Sequence, residues 1–325
     1  MNTIKLQLTT IWTLGLLIGL STLFFAIILN YMGITDLIST LSLVLLFNIG
    51  QWLFAPYLIN SMYRVEEATG SETAGLRSTV ERISQKLGVK TPKVMIANIP
   101  IPNAFAYGSP LAGSRVAVTT GLLRELEDEE VEAVLGHELG HLKNRDVQTM
   151  MLASVLPAVF YFIARSMMMS AYFGGSRDRE SGSAMAMLLG AGSMVIYYVL
   201  NLVVLGLSRL REYYADQRSV SVVDDGARKL SEALAKIASS SSAMRLSRQA
   251  PGSLNSFKAL FIEDPDSAAR DQAAISRLGR FGTDQQLVQS VMSRQVSAID
   301  QLLELFSTHP NMVKRLQALQ ESTRA

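Results

Sequence analysis

Cysteine is absent from this chain of 325 residues, and histidine occurs only three times. The lack of cysteine excludes disulfide bonds, thiolate metal sites and a cysteine nucleophile. Charged residues are also scarce, at 18% of the sequence, whereas soluble domains usually contain about 25%. The formal net charge is only +2, and no clustered basic stripe with interleaved aromatic residues occurs. We therefore expect no nucleic-acid partner.

The scarcity of charge is concentrated in four long apolar segments, which we interpret as membrane-spanning helices. They lie at about 11–31, 37–58, 149–173 and 184–207. Each reaches or approaches the roughly 20 residues that a helix needs to cross a bilayer. The first is longer than the apolar part of a signal peptide and lacks a small-residue cleavage site after it. We expect an uncleaved anchor and a multi-pass protein in contact with the lipid bilayer.

Basic residues predict the orientation of these helices. The turn at 32–36 carries neither Lys nor Arg, whereas Lys143 and Arg145 precede the third segment and Arg209 and Arg211 follow the fourth. The positive-inside rule then places the N-terminus, the histidine motif described next and the C-terminus in the cytoplasm.

Two of the three histidines form the motif His137-Glu138-Leu139-Gly140-His141. At positions i and i+4 of a helix, the two imidazoles share one face and can hold one metal ion. Glu138 can reach a water on that ion and act as a general base. Gly140 costs a helix about 1 kcal/mol relative to alanine, so we expect another element to approach the helix closely there.

Glu212 is the predicted third ligand. Two imidazoles and a carboxylate are the ligand set of one large class of zinc peptidases, and they leave a position open for water. Asp216 follows Glu212 at i+4 and is expected to accept the free ring N–H of a zinc-bound histidine. The sequence thus predicts one zinc ion per chain, held by His137, His141 and Glu212.

The third histidine, His309, precedes Pro310 between two predicted helices. It is our candidate for a second electrophile that stabilises the oxyanion of a peptide-cleavage intermediate. The alternative is an ordinary histidine packed near a helix start.

The region between the second and third apolar segments has the pattern of a small soluble α+β domain. Helices are predicted at 71–87, where Gly88 ends the helix, and at 128–142, which carries the motif. Strands are predicted at 93–97, 103–107 and 115–119.

The strand at 103–107 contains Asn103, Ala104, Phe105 and Ala106. Extended peptides bind well by adding to an exposed strand edge, so these four residues are candidate substrate-binding residues. The alternative is an ordinary hydrophobic strand.

The C-terminal part is predicted to be helical with one weakly patterned stretch. The fourth apolar helix should continue through 208–216, and further helices are expected at 227–237, 296–306 and 312–321. The serine run at 239–242 is interpreted as a flexible joint, and 253–294 as a mobile insert over the site.

Together these features resemble the HtpX-type membrane zinc metalloproteases, which are related to the CAAX prenyl proteases. The resemblance covers most of the chain. It rests on the order of the two apolar pairs, the histidine motif, Glu212 with Asp216, the Asn103–Ala106 string, and His309-Pro310 with Arg315 nearby. One departure is Asn311, where the family often has a second proline.

The resemblance implies a mainly helical α+β fold with four transmembrane helices and a cytoplasmic zincin-like (gluzincin) metalloprotease domain. It implies an endopeptidase of the bacterial inner membrane that degrades damaged or misfolded membrane proteins under heat or envelope stress. In that family the zinc ligands match His137, His141 and Glu212, the catalytic residue matches Glu138, and the Asn103–Ala106 string matches the substrate-binding strand. Its substrates would be membrane proteins or unfolded polypeptides, and the oligomeric state stays open.

Four regions are expected along the chain. They are a transmembrane hairpin at 1–62, a zincin-like part at 63–146, a second transmembrane pair at 147–210, and a cytoplasmic part at 211–325. Two alternatives remain: a CAAX-type prenyl-peptide protease, which usually has more membrane helices, and a non-catalytic membrane scaffold, which would not need Glu138.

Overall fold

A computed structural model of the chain describes residues 37–173, 180–246 and 283–324. The predicted membrane helix at 11–31 and most of the predicted insert at 253–294 lie outside these residues. Backbone contacts divide the chain into two compact units. Of the described residues, one unit contains those within 37–51 and 148–207, and the other contains 52–147 and those from 208 onward.

The described elements alternate between short strands and helices, with helices dominating. In chain order they are α1 (Leu37–Tyr63), β1 (Val65–Glu67), a 3-10 turn (Ser71–Thr73), α2 (Ala74–Leu87), β2 (Lys93–Ala97), β3 (Ala104–Ser109), β4 (Gly113–Thr119), α3 (Thr120–Glu125), α4 (Asp128–Lys143), α5 (Asp146–Phe173), α6 (Glu180–Val222), α7 (Gly226–Leu246), α8 (Asp284–Met292), α9 (Ala298–Glu304) and α10 (Met312–Arg324). The predicted mainly helical α+β class is therefore confirmed for the described residues.

The strands form one four-stranded sheet with the order β1-β2-β4-β3. The central pair, β2 and β4, is parallel, and β1 and β3 pair antiparallel to it on the two edges. The three strands expected from the sequence are present, and β3 is an edge strand. β1 was not expected from the sequence, since only Val65 of its three residues is buried and the pattern is too short to show an alternation.

The larger core lies in the unit that contains the sheet. It combines the buried faces of α2, α4, α7, α8 and α10, with Ile83, Leu135 and Leu234 among its fully enclosed side chains. α2 ends at Gly88, whose φ of 64° supplies the left-handed conformation that closes a helix.

The structure corrects two sequence-based expectations in the C-terminal part. Helix α7 continues through the serine run at 239–242, since serine neither blocks a backbone hydrogen bond nor clashes with the helix. Ala235 and Ala238, which lie just before the serine run, are buried and pack α7 against the core. Helix α8 buries Leu287 and Val291 in the same core, so this end of the predicted insert is a packed helix rather than a lid.

The other unit contains an apolar pair of helices, α5 and the first part of α6. Phe160 and Ile163 of α5 pack with Leu200 of α6, and Gly190 lets the helices approach closely, because a Cβ there would lie 3.2 Å from the Ala164 carbonyl oxygen. The outer surface is apolar as well. Its exposed side chains include Tyr161, Met169, Tyr172, Met187, Leu188, Val195, Tyr198 and Val199.

Among the described residues, one helix, Gly182–Val222, is long and apolar enough to cross a membrane. Only 22% of its most apolar window is buried, which distinguishes it from the core helix of a soluble protein. The segments at 37–58 and 149–173 are helical, as α1 and α5, and their crossing stays a prediction. As expected, α6 continues without a break through 208–216.

Candidate metal centre

Two glycines on α4 allow the last part of α6 to cross it closely. A Cβ on Gly140 would lie 3.0 Å from the Arg218 Cβ and 3.2 Å from the Ala215 Cα. One turn earlier, a Cβ on Gly136 would lie 3.2 Å from the Ser219 Cα. The close approach expected at Gly140 is thus that of α6, the helix that carries Glu212.

The crossing brings the three predicted ligands together. The Nε2 atoms of His137 and His141 are 3.2 Å apart, and each lies 3.5 Å from a carboxylate oxygen of Glu212. Ligand atoms bound to one tetrahedral zinc ion are about 3.3–3.5 Å from each other, given the usual bond lengths. Oε2 of Glu212 is buried, 3.2 Å from Nδ1 of His309 and 3.6 Å from Nη1 of Arg315, and neither contact is a well-aligned hydrogen bond. Spacing and donor types therefore fit a zinc ion.

His137 is backed by Asp216, as the i+4 spacing from Glu212 suggested. Its Nδ1 lies 2.8 Å from Oδ1 of Asp216, which leaves Nε2 to face the other ligands. Arg315, itself only 1% exposed, donates from Nε and Nη2 to the two Asp216 oxygens at 2.7 Å. Burial alone would raise the pKa of Asp216, but Arg315 and His137 together outweigh burial, and the pKa is lowered.

His141 is backed by a carboxylate that was not predicted from the sequence. Its Nδ1 lies 2.6 Å from Oδ2 of Asp146, the first residue of α5. Arg145, with a φ of 56°, makes the tight turn between α4 and α5. Nη1 of Arg211 lies 4.0 Å from the same Asp146 oxygen. The sequence does show an acidic residue, Asp146, shortly after the motif helix. The left-handed conformation of Arg145 that brings Asp146 to His141 cannot be inferred from the sequence, because arginine rarely adopts it.

Glu138 lies on the side of α4 that faces the sheet. Its Oε2 accepts a hydrogen bond of 2.9 Å from the backbone N–H of Ala106 on β3. The carboxyl is almost completely buried, and this burial raises the pKa of Glu138 above its ordinary value. A carboxylate of raised basicity next to a metal site is suited to accept a proton from water.

His309 completes a site that contains all three histidines of the chain. Its ring is 8% exposed, and Nδ1 lies 3.2 Å from Oε2 of Glu212. Neither ring nitrogen makes a well-aligned hydrogen bond with a residue that the structure describes. The imidazole is therefore near the predicted ligands, with polar atoms available to a further group.

In the predicted substrate segment, Asn103 to Ala106, the backbone of Ala106 lies at the site and the Phe105 side chain does not. Ala106 contacts Glu138, as described above, and Ala104 is buried beside it on the same strand. The Phe105 ring packs against Tyr63 and Tyr107 in a separate apolar cluster, at centroid distances of 5.8 and 5.4 Å. Successive strand residues point to opposite faces, which separates Phe105 from the metal centre.

A helix-borne pair of histidines with an adjoining glutamate, a third carboxylate from a crossing helix and a sheet edge beside them define a metallopeptidase. The chain belongs to peptidase family M48, whose sequence pattern matches residues 70–323.

Several similar proteins are named Protease HtpX homolog. The one from Thermoplasma acidophilum is 35% identical over 299 residues, which cover 90% of this chain and 88% of the relative. The one from Aeropyrum pernix is 37% identical over 288 residues, which cover 88% of this chain and 86% of the relative. The resemblance to HtpX-type proteases is confirmed. These organisms are archaea, so the relatives give no support to the expectation of a bacterial inner membrane.

The fold is also similar to that of a solved protein, Ste24p of S. mikatae. The TM-score is 0.56, and the match covers 98% of this chain and 67% of Ste24p. The sequences are only 15% identical, so the likeness concerns the fold alone.

Proposed function

We propose that this protein is a membrane-anchored zinc endopeptidase that cleaves damaged or misfolded membrane proteins at the cytoplasmic face. The observation that carries the proposal is the cluster of His137, His141 and Glu212, whose ligand atoms lie within 4.8 Å of one another, with Glu138 beside it. Membership of family M48 supports a metalloprotease. The metal, the substrates and the side of the membrane are part of the proposal.

His137, His141 and Glu212 would hold the ion. When bound, zinc supplies positive charge that activates a water and polarises the carbonyl of the scissile peptide. Asp216 and Asp146 keep the Nδ1–H of each imidazole engaged, so that both Nε2 lone pairs point to the site. The histidine orientations are thereby fixed before any metal or substrate binds.

Glu138 is the proposed general base. Its carboxylate would take a proton from the attacking water and later give it to the leaving amine. The hydrogen bond from the Ala106 N–H fixes one oxygen, Oε2, and leaves Oε1 for the proton transfer. The same hydrogen bond connects Glu138 to β3, the strand proposed below to bind the substrate.

The free edge of β3 is the proposed docking place for the substrate backbone. The carbonyl of Asn103 accepts from Thr119 of the neighbouring β4. Residues alternate in an antiparallel ladder, so the backbone groups of Ala104 and Ala106 face away from β4. The Ala106 N–H is engaged by Glu138, so an extended peptide can pair with the Ala104 N–H and with the carbonyls of Ala104 and Ala106, which would place its own carbonyls beside the metal centre. His309 would then donate a hydrogen bond to the developing oxyanion.

The proposed anchoring depends on α6. Its apolar part, Gly182–Val222, has 41 residues and measures about 60 Å at the usual rise, whereas the hydrocarbon core of a bilayer is about 30 Å thick. α6 can therefore both cross the membrane and carry Glu212 beyond it. With the predicted spans at 11–31, 37–58 and 149–173, this would give the four spans and the cytoplasmic site predicted from hydropathy and basic residues.

Cleavage-site mapping by mass spectrometry would test the proposal. Wild-type protein and Glu138→Gln would be incubated in vesicles with a panel of membrane proteins, an unfolded soluble polypeptide and a prenylated CAAX peptide. We expect new termini within the membrane proteins and the unfolded polypeptide for the wild type only. Cleavage of the prenylated peptide alone would favour the CAAX-type alternative. Absence of wild-type cleavage in every arm would favour the scaffold.

A further inference from the structure

The segment 297–306, formed by Ser297, α9 and the two residues after α9, presents apolar side chains outward. Ile299 is 70% exposed, Leu302 59% and Phe306 65%, and no residue of α9 is buried. Ile299, Leu302 and Leu303 are spaced at i, i+3 and i+4 and so share one face of α9, and Phe306 follows in the turn after the helix.

The charged face of the same segment points inward, toward the protein. Asp300 accepts from the Ser297 backbone N–H at 3.0 Å and pairs with Arg294 at 3.3 Å. Glu304 accepts from the Asn311 backbone N–H at 3.1 Å and also pairs with Lys314. A surface helix in water normally has the opposite arrangement. Charge inward and apolar residues outward suit a helix whose outer medium is lipid.

Arg209 ties this segment to α6. Its Nη1 donates to the backbone carbonyls of Glu304 and Ser307, both at 2.7 Å, and to that of Leu305 at 3.2 Å. Arg209 stands two positions after Leu207, where the predicted membrane span ends. The apolar segment is thus bonded to α6 two residues beyond the predicted end of the span.

A second exposed apolar residue of the same unit lies close to a hydrogen bond with α1. Leu111, at the tip of the β3–β4 hairpin, is 62% exposed. Close to it, Ser109 Oγ donates at 3.0 Å to the carbonyl of Leu53 in α1, within the predicted span at 37–58. On α1 itself, the side chains of Phe54 and Leu58 are 64% and 58% exposed. Two chain segments distant in sequence therefore combine exposed apolar residues with an anchor on a predicted membrane helix.

We infer that the segment 297–306 lies in the membrane interface, with Ile299, Leu302 and Phe306 between the lipid headgroups and the acyl chains. This inference rests on the membrane anchoring proposed above. His309 follows Phe306 by three positions, so the bilayer would help to hold the metal site at the membrane surface. A substrate segment leaving the bilayer would then meet the site at once.

The absence of cysteine allows a direct test by single-site labelling. Leu302→Cys and Phe306→Cys would carry a nitroxide, and the full protein would be placed in phosphatidylcholine–phosphatidylglycerol vesicles. Leu123→Cys, at a leucine of α3 that is 40% exposed on the same unit, is the matched control. We expect the 302 and 306 probes to be accessible to oxygen and shielded from a water-soluble nickel chelate. The 123 probe should show the reverse.

Two results would overturn the inference. Probes at 302 and 306 in contact with the nickel chelate would place the segment in water. Probes shielded from both reagents would mean that protein covers the segment, either a second copy or residues 247–282. Retention of the protein in the vesicles after an alkaline wash, and cleavage of a soluble peptide, are measured on the same samples. If both persist while the probes are in water, only this inference fails, whereas a protein released by the wash also contradicts the proposed anchoring.

Discussion

Each imidazole of the candidate centre is held by a carboxylate, and each carboxylate lies near an arginine. His137, Asp216 and Arg315 form one such chain, with contacts of 2.8 and 2.7 Å, and Asp146 with Arg211 supports His141. Such partners fix the ring orientation and keep the tautomer in which Nε2 can bind a metal. The chemistry of the centre therefore depends on residues that would not touch the ion.

We predict that Asp216→Asn and Asp146→Asn each weaken zinc binding by about 10- to 100-fold, the usual cost of losing a carboxylate behind a metal-bound histidine. Asp284→Asn, at a partly exposed carboxylate paired with Lys236, should leave zinc affinity unchanged. Competition with a chromophoric chelator measures all three variants. Wild-type affinity in both Asp146 and Asp216 variants would mean that these contacts do not set the ligand geometry.

His309→Phe should reduce kcat by about 100-fold or more, the typical effect of removing one oxyanion donor. Zinc content and KM should change little, because the donor acts on the transition state and not on the ground state. Steady-state kinetics on a fluorogenic peptide, with metal analysis of the same preparation, separates the two effects. Unchanged turnover would make His309 a structural histidine, and loss of zinc would make it part of the metal site.

The sequence predicts the individual residues of the centre unequally well. His137, His141 and Glu212 follow from helical spacing and from the chemistry of their side chains. Asp146 does not, because its approach to His141 requires the left-handed conformation of Arg145. Non-glycine residues adopt that conformation only where the surrounding structure imposes it.

At the scale of elements, the centre exists because α4 and α6 cross closely. Gly136 and Gly140 remove the side chains that would separate them, and Ser219 of α6 donates to the Ala133 carbonyl of α4 at 2.6 Å. One contact thus sets the distance between the two histidines and Glu212. A change in helix spacing should affect the metal before it affects the fold.

Gly140→Leu should destabilise the protein by about 1–3 kcal/mol, the usual cost of overpacking, and lower zinc affinity as well. Gly75→Leu is the matched control, since a Cβ at this position of α2 meets nothing within 4 Å. The control should be neutral or slightly stabilising, because leucine is a much better helix former than glycine. Urea titrations and zinc competition would compare the two. Equal behaviour of the two variants would contradict a role for Gly140 in the crossing.

Most elements were predictable because their burial is periodic. The strand at 93–97 and the motif helix have the expected bounds to within a residue. β1 was not predictable, because its pairing with β2 is a long-range contact of a short, mostly polar segment. The serine run lacks hydrophobic periodicity of its own, so its helical state comes from the packed part of α7 before it.

At the scale of the molecule, α6 joins the two functions proposed for the chain, anchoring and metal binding. Its first part is apolar on its outer surface, and its last part carries Glu212 and Asp216.

Reporter fusions after Arg64 and after Ile237 should report the cytoplasm, and a fusion at Gly182 should report the opposite side. A cytoplasmic signal at Gly182 would mean that α5 and α6 do not span the bilayer.

The most direct test of the proposed zinc peptidase compares Glu138→Gln with Glu212→Gln for zinc content and turnover in the same purified preparations. We predict about one zinc per chain in the wild type and in Glu138→Gln, with turnover of the variant reduced by about 100-fold or more because the base is lost. Glu212→Gln should lose both zinc and activity. Wild-type turnover in Glu138→Gln, or full zinc occupancy in Glu212→Gln, would contradict the account.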